Sequence, residues 1–438
     1  MNTKRRGVSL GTILALCLTA VVAVGYFVLY LSIRSRQAPS GTQSAPVAGL
    51  MADSEQEETP DPQSTVKTVT VTLAPAVTAV PAPAETVPAN MHYDAYSFDL
   101  TLGGMVAYQS DISDALYNKT QKTLDYSPVL SLIAPKIHAD LNIVTFGQVI
   151  NSQDLKYADV QVPSCAADAL RAAGFDDVML CTEHVLDQGV QGAASTVQVL
   201  TAKGLSCGGV TAGDTHQHRM IQLNGAKIAL LAYTDVLTAK GKNAQESQPN
   251  ALRLYDEQAA RRDIQAAKAQ GASLVIVYMY WGRADTASVT NAQRGTARAL
   301  AEMGADVIVG NRPTRVLPME LITTMGDDGR ARQTFVAYSM GSLVTESREA
   351  YDISGTLLHL RIVGDEQGHV RFAAVEYTPT YIWKQTVDGK MQYRVVCSAD
   401  PAPAGMDEKQ RQYMANALNR VQKTLHESPV SLRQSYER

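Results

Sequence analysis

The residues best suited to acid–base chemistry are His184 and Asp187, which stand three positions apart. A histidine that is oriented by a carboxylate can act as a general base. The same spacing is also expected where a loop histidine only hydrogen-bonds a nearby aspartate. We favour this structural interpretation and keep the two residues as candidates for remnant catalytic groups.

A second pattern that could bind a metal is His216 and His218, two positions apart in a polar segment. On a strand, this spacing would place both rings on one face, where they could bind a metal ion. The polar neighbours of the two histidines favour exposure to solvent instead.

Several other chemistries have no support in the sequence. No G-x-S-x-G motif is present. Cys207 has no basic neighbour that would favour a thiolate nucleophile. The net charge of -4 and the lack of a Lys/Arg-rich tract argue against nucleic-acid binding. The cysteines beyond the first 90 residues have no C-x-x-C spacing, so no zinc knuckle is predicted, while disulfide pairing stays open: Cys165, Cys181, Cys207 and Cys397.

A repeated pattern of helix, glycine and short apolar strand predicts the framework of the folded part. Glycine after a helix readily adopts the left-handed cap conformation. Near-continuous apolar strands between helices predict buried parallel strands with βαβ connections, and hence an α/β fold. The three copies are Ala166–Gly174 with Asp177–Leu180, Asp256–Gly271 with Leu274–Tyr280, and Asn291–Gly304 with Asp306–Val309.

Other elements are predicted from shorter apolar runs and from alternation. Additional strands are expected at Phe98–Ala107, Leu141–Phe146, Lys227–Tyr233 and Phe335–Ser339. Alternating segments that favour antiparallel pairing lie at Leu357–Ile362, Arg371–Tyr377 and Gln392–Val396. A polar amphipathic helix is predicted at 406–426.

The N-terminal part of the chain predicts one membrane-spanning helix. Residues 8–33 carry no charge, and ~20 apolar residues are enough to cross a bilayer as a helix. The run is too long, and too bulky at its end, for a cleavable signal peptide, so it is predicted to be a signal-anchor. The charge balance around it predicts that residues 1–7 are cytoplasmic and that the main domain is extracellular.

Residues 34–93 are predicted to be a disordered Pro/Thr/Ala-rich linker. The stretch 37–90 holds 8 of the 18 prolines and no aromatic residue, so it cannot bury enough apolar surface to fold. The linker would lift the folded part away from the bilayer. One domain is then expected at 94–400, followed by a polar C-terminal helix and tail at 401–438.

A series of short motifs runs in order through residues 95–345. The motifs are Leu102-Gly103-Gly104-Met105, Ala139-Asp140-Leu141, His184 to Gly189, Thr196 to Leu200, Trp281-Gly282, Gly304 to Gly310, Pro313, and Tyr338 to Gly341. Their order and spacing resemble the CapA family of capsule and poly-γ-glutamate synthesis proteins. The resemblance implies a metallophosphatase-like fold: a two-sheet sandwich flanked by helices (α/β/β/α), with a site at the strand ends.

The resemblance breaks down where that family has metal-capable side chains. The Gly-Asp after the first strand is Gly103-Gly104 here, and the later Asn-Leu-Glu is Thr145-Phe146-Gly147. Asn-Asn-His has become Thr182-Glu183-His184, and His-Trp-Gly-x-Glu has become Tyr280-Trp281-Gly282-Arg283-Ala284. The family motif Gly-His-His-Pro-His has become Gly310-Asn311-Arg312-Pro313-Thr314, so all three of its histidines are replaced. The family motif Leu-Gly-Asn has become Met340-Gly341-Ser342, so its asparagine is replaced by serine. One remaining histidine cannot hold a dinuclear centre, so no metal, no other cofactor and no catalytic residue is predicted.

The former site is predicted to be lined by Glu183, Trp281, Asn311 and Arg312, where Arg312 could pair with Glu183 or bind an anionic ligand. The favoured hypothesis is a membrane-anchored, catalytically inactive protein that binds or scaffolds an anionic envelope polymer or capsule-synthesis proteins. One alternative is an active metal-dependent hydrolase with rearranged ligands, which would need a divalent metal. Another is a purely structural wall-spanning protein.

Overall fold

The computed structural model describes residues 95–151, 155–210, 218–249, 251–326, 329–366 and 369–433. The predicted cytoplasmic tail, the predicted membrane helix at 8–33 and the whole of the predicted linker at 34–93 lie outside these residues. Within the described ranges, no helix combines the length and the apolar composition that a bilayer crossing requires.

The strands, in chain order, are β1 Tyr96–Val106, β2 Leu141–Phe146, β3 Val149–Asn151, β4 Gln161–Pro163, β5 Asp177–Met179, β6 Ser206–Gly208, β7 Arg219–Leu223, β8 Ala226–Thr234, β9 Leu274–Tyr280, β10 Val307–Asn311, β11 Met319–Met325, β12 Ala331–Ala337, β13 Ser342–Val344, β14 Ser354–Gly364, β15 Val370–Val387, β16 Lys390–Cys397 and β17 Ser431–Leu432.

The helices are α1 Ser110–Leu116, α2 Ser127–Leu130, α3 Cys165–Ala172, α4 Gly189–Ala202, α5 Ala239–Ser247, α6 Glu257–Ala269, α7 Asn291–Met303 and α8 Glu408–Leu425, with a 3-10 turn at Ala134–Lys136. Helices α6 and α7 begin within one residue of their predicted starts. Thr290 and Gln293 form a capping box at the start of α7, and Gly304 ends that helix in the left-handed conformation with φ +104°.

The strands form two main sheets. The larger sheet has the order β16-β15-β14-β1-β2-β5-β6, with β13 beside β1 and β17 beside β15. The second sheet has the order β11-β12-β10-β9-β8-β7. Strands β1, β2, β5 and β6 are parallel to one another, as are β8, β9, β10 and β12. Each sheet therefore presents the carboxyl ends of several neighbouring strands at one edge.

Three apolar layers hold these elements together. The layer between the two sheets contains Leu100 and Ile143 from the larger sheet and Ile276 and Val309 from the second. The outer side of the larger sheet packs with α3 and α4 through Val144, Leu170 and Leu200. The outer side of the second sheet packs with α6 and α7 through Val277, Ile264 and Leu300. The fold is thus helices, sheet, sheet and helices, and the predicted α/β class is confirmed.

The C-terminal helix α8 belongs to the same packed body. Asp407 and Gln410 cap its start. Met414 and Ala417 lie in a small core with Trp383, while Val421 and Leu425 reach the layer between the sheets. The prediction of an amphipathic helix here is confirmed.

One difference in strand position matters for the site. The sequence predicts a strand at Asp306–Val309, whereas β10 runs over Val307–Asn311. Asp306 instead accepts hydrogen bonds from the Val275 N–H at 2.8 Å and from Arg332 at 2.7 Å. Asn311 is therefore the last residue of a buried strand and not part of the following loop.

Candidate functional site at the carboxyl ends of the strands

Two predicted site residues meet in an ion pair that joins the two sheets. Glu183 follows β5 of the larger sheet, and Arg312 follows β10 of the second sheet. Arg312 Nη2 lies 3.1 Å from Glu183 Oε2, and their side chains are 17% and 20% exposed. The predicted convergence of these two residues is therefore present in the fold.

Two further contacts fix this ion pair. The hydroxyl of Tyr280, at the end of β9, donates to Glu183 Oε1 at 3.2 Å. Burial raises the pKa of the Tyr280 hydroxyl far above its ordinary value, so the group stays protonated and can donate. Arg312 Nη1 also donates to the carbonyl of Gly282. Both charged groups are thus held in place from the second sheet.

The backbone at Arg312 is in an unfavourable conformation. Its φ of +96° lies in the left-handed region, which side-chain-bearing residues rarely adopt. Strain of this kind persists only where surrounding contacts enforce it, and it is concentrated at functional sites. The contacts of Arg312 with Glu183 and Gly282 supply such enforcement.

Asn311 adds unsatisfied polar groups next to the ion pair. The residue is 1% exposed, and neither its side-chain oxygen nor its nitrogen has a hydrogen-bond partner. The hydroxyls of Thr145 and Thr182, at the ends of β2 and β5, are also buried without partners. Buried polar groups normally have a partner, which is often ordered water or a ligand. The strand ends therefore add unsatisfied neutral polar groups to the charged pair of Arg312 and Glu183.

Asp235 belongs to this site although the sequence analysis did not select it. It directly follows β8, and its Oδ2 accepts a hydrogen bond from the Gly282 N–H at 3.1 Å. Burial raises the pKa of Asp235, while the Gly282 N–H and the charge of Arg312 oppose the rise. The signal in the sequence was an acidic residue two positions after the end of the predicted strand Lys227–Tyr233.

His184 and Asp187 lie beside the ion pair and contact each other. His184 Nδ1 is 2.7 Å from Asp187 Oδ2, and the Asp187 side chain is only 8% exposed. The other oxygen of Asp187 accepts a hydrogen bond from Thr238, the residue that caps the N-terminus of α5. Asp187 thus ties two loops together and also orients an imidazole that is 36% exposed.

Trp281 lies in the core and not on the surface of the site. It is 1% exposed, and its indole Nε1 donates to the carbonyl of Tyr338 at 3.0 Å. Its ring also stacks on that of Tyr338. Trp281 packs in the layer between the second sheet and its helices, so it supports β10 from behind and offers no ring face to a ligand.

The residues at the strand ends do not fit the dinuclear metal centre that the family resemblance implies. A Cβ on Gly104, where the family carries Asp, would lie 2.3 Å from the carbonyl oxygen of Gly341. That position is therefore closed to any side chain. Among the described residues, no three His, Cys, Asp or Glu side chains are grouped so that they could hold a metal ion. The site instead contains the guanidinium group of Arg312 paired with Glu183, the carboxylates of Asp235 and Asp187, and neutral hydroxyl and amide groups.

The described members of the remaining sequence candidates, His218 and Cys207, line a different cavity. His216 is outside the described residues. His218 lines a separate cavity of about 290 Å³ together with Cys207, Arg219 and Arg253. The four described cysteines are free, which answers the question of disulfide pairing left open by the sequence. Burial raises the pKa of Cys207 to about 11, so its thiol stays protonated at neutral pH.

Comparisons with known proteins agree with the motif analysis. Residues 99–347 match the family described as bacterial capsule synthesis protein PGA_cap. The PGA biosynthesis protein CapA of Bacillus subtilis (strain 168) is 26% identical over 255 residues, which are 57% of this chain and 64% of that protein. The capsule biosynthesis protein CapA of Bacillus anthracis is 26% identical over 180 residues, which are 40% of this chain and 41% of that protein.

The chain therefore spans less than two thirds of the length of these relatives. A solved structure of the sulfate thiohydrolase SoxB of Thermus thermophilus, in complex with glycerol, has a TM-score of 0.31 and 13% identity over 64% of this chain and 43% of that one. The family match covers more than half of the chain and the whole strand-end site. The chain belongs to the bacterial capsule synthesis protein family PGA_cap.

Proposed function

We propose that this chain is a non-hydrolytic member of the capsule synthesis family, which binds or scaffolds an anionic envelope polymer or its assembly proteins. The observation that carries the proposal is the ion pair between Arg312 and Glu183 at the strand ends. A guanidinium group repels a metal cation and cannot act as a metal ligand. The site therefore favours recognition over metal-assisted hydrolysis.

Steric closure supports the same proposal. The Gly104 position has no room for the carboxylate that the family resemblance implies. The layered architecture of two sheets flanked by helices, with the site at the strand ends, supports a metallophosphatase-like fold from which the metal ligands have been lost. Such a fold retains a positioned site while lacking the Lewis acid that activates water.

The membrane anchor is part of this proposal. The charge-free run at 8–33 would hold the chain in a membrane, with residues 1–7 in the cytoplasm and the domain at 94–400 outside the cell. The linker at 34–93 would let that domain work at a distance from the bilayer.

A metal-dependent hydrolase with rearranged ligands is the second candidate function. The 2.7 Å contact between His184 and Asp187 favours it, because this is the geometry of a general base with its orienting carboxylate.

Metal content and turnover separate these two functions. The full-length chain, purified in detergent, is analysed for bound metal and assayed on a generic phosphodiester with added manganese. We expect far less than one metal ion per chain, and hydrolysis no faster than that of the His184→Ala variant. Stoichiometric metal together with turnover that His184→Ala abolishes would establish the hydrolase instead.

Polymer retention separates a binding protein from a passive spacer. The same full-length chain is passed over immobilised poly-γ-glutamate and over neutral dextran. We expect retention on the acidic polymer alone. Equal behaviour on both matrices would contradict the binding function and favour a purely structural wall-spanning role.

A further inference from the structure

Tyr351 stands on the surface between two arginines. Its side chain is 51% exposed, although it is a large aromatic residue. The guanidinium carbon of Arg315 lies 4.6 Å from the ring centroid, and that of Arg420 lies 5.6 Å from it. We call Arg315, Tyr351 and Arg420 the arginine–tyrosine cluster.

Three separate parts of the chain build this cluster. Arg315 lies three residues beyond Arg312, in the turn that leads from β10 to β11, and Tyr351 lies in the connection between β13 and β14. Arg420 projects from α8. The cluster therefore borders the strand-end site, but it shares no residue with it.

Neither arginine of the cluster forms an ion pair with a carboxylate of the described residues. Besides its contact with Tyr351, Arg420 makes one long hydrogen bond, from Nη2 to Ser354 Oγ at 3.4 Å. The Nε atoms of Arg315 and Arg420 are both buried without a partner. By contrast, Arg253 and Arg332 each pair with an aspartate at 2.7 Å. The cluster thus holds two partly buried cations whose charges are not balanced locally.

The adjacent carboxylate does not supply the missing partner. Asp352, next to Tyr351, accepts hydrogen bonds from Thr314 Oγ1 at 2.7 Å and from Ser347 Oγ at 2.9 Å. Burial lowers the pKa of Arg420, and the neighbours that oppose this shift are Tyr351 and Tyr381, which are not carboxylates. An anion from outside the chain would complete these contacts.

We propose that the arginine–tyrosine cluster binds the carboxylates of an acidic polymer. Because both guanidinium carbons are measured to one ring centroid, at 4.6 and 5.6 Å, they lie within about 10 Å of each other. Two neighbouring carboxylates of one extended chain can therefore be bound together. A guanidinium group binds a carboxylate through two parallel hydrogen bonds, and stacking on the ring holds it in a fixed orientation beforehand. This inference rests on the proposed polymer-binding function and names the surface that performs it.

Binding of poly-γ-glutamate of defined length to the full-length chain tests the proposal, at one fixed ionic strength. Arg315→Ala and Arg420→Ala each remove charge-assisted hydrogen bonds, so each should weaken binding by at least about tenfold. Arg315→Lys and Arg420→Lys keep the charge but lose the bidentate geometry, and they should weaken binding by about threefold. Circular dichroism verifies that each variant is folded.

The matched control is Arg348→Ala. Arg348 lies in the same loop as Tyr351, is 88% exposed, and is 3.7 Å from Asp111. Its removal should change affinity by less than about twofold. If the variants of Arg315 and Arg420 bound as tightly as the wild type, the assignment of polymer binding to the cluster would be wrong. The same would hold if Arg348→Ala lost as much affinity as they do. In both cases the proposed function would stand.

Two further outcomes are decisive. Failure of the wild-type chain to bind poly-γ-glutamate would contradict the proposed function and this inference together. Polyphosphate of matched length that binds more tightly than poly-γ-glutamate, and that depends on Arg315 and Arg420, would contradict the assignment to carboxylates.

Discussion

Arg312 determines the chemistry of the strand-end site, and its backbone φ angle shows that the surrounding contacts hold it in a strained conformation. At φ +96°, glycine is unstrained, whereas alanine, like the native arginine, is strained. Both Arg312→Gly and Arg312→Ala remove the ion pair with Glu183. We expect the glycine variant to be more stable than the alanine variant by about 1 kcal/mol, measured by urea unfolding.

This order is the reverse of the usual one, in which glycine is the less stable residue. An alanine variant as stable as the glycine variant would mean that the backbone relaxes at this position. The strain would then have no functional meaning.

A substitution at Gly104 tests whether this position is sterically unable to carry a metal ligand or has only lost the carboxylate of the family motif. A Cβ at this position meets the backbone oxygen of Gly341 at 2.3 Å, so Gly104→Asp should cost at least about 2 kcal/mol and confer no metal binding. Gly147→Ala is the matched control. Its Cβ meets the flexible side chain of Met105 at 3.3 Å and the backbone oxygen of Val106 at an ordinary contact distance of 3.5 Å, and the expected cost is below about 1 kcal/mol.

Unfolding curves measure the stability of the two variants, and a manganese titration measures whether either of them binds metal. A stable Gly104→Asp variant that binds manganese would show that this family position can still accept a ligand.

The residues of the site were predictable to different degrees. Glu183 and Arg312 could be paired because both belong to motifs whose neighbours are retained. The strain at Arg312 could not be foreseen, because it depends on contacts with residues far away in the sequence. Trp281 was predicted to line the site because it belongs to the retained Trp281-Gly282 motif. Only the packing of β9 against the helices shows that its ring faces the core.

At the scale of the elements, His359 links three strands of the larger sheet. Its Nδ1 is 3.1 Å from Thr101 Oγ1 in β1, and its Nε2 is 2.8 Å from Thr378 Oγ1 in β15. Burial lowers the pKa of His359 to about 3. In the unfolded chain this histidine binds a proton below about pH 6.5, so the unfolded state holds more protons between pH 6.5 and 3.

Stability should therefore fall as the pH falls through this window, by up to about 1.4 kcal/mol per pH unit from this group. His359→Gln cannot titrate and should show a smaller loss between pH 7 and pH 5, measured by urea unfolding. An identical pH dependence in both proteins would show that His359 does not contribute.

Long elements with a clear apolar pattern were predicted well. Strands β2 and β9 match the predicted bounds, and the late strands β14, β15 and β16 pair antiparallel as predicted. Strands of three residues, such as β4 and β6, were missed, because so short a segment has no periodicity. Helix α5 was missed because only Gly241 of its residues is buried, so it has no apolar stripe.

At the scale of the whole molecule, α8 connects the C-terminal region to the domain that precedes it. Met414 and Ala417 pack on the larger sheet, while Val421 and Leu425 enter the layer between the sheets. A chain that ends at Gly405 should therefore unfold at markedly lower urea concentration or fail to fold. Met414→Ala should cost about 2–5 kcal/mol in the same assay.

A chain that ends at Leu432 keeps α8 and serves as the control. If the chain ending at Gly405 were as stable as this control, α8 would not contribute to the stability of the domain. It could then not position Arg420 for ligand binding.

The strand-end site, in which Arg312 is paired with Glu183, is expected to hold no metal. An anomalous difference map from crystals of the full-length protein soaked in manganese tests this directly. We expect no manganese peak among Glu183, Asp235 and Arg312. A strong peak there, with the ion pair between Arg312 and Glu183 opened, would show that the site still binds metal.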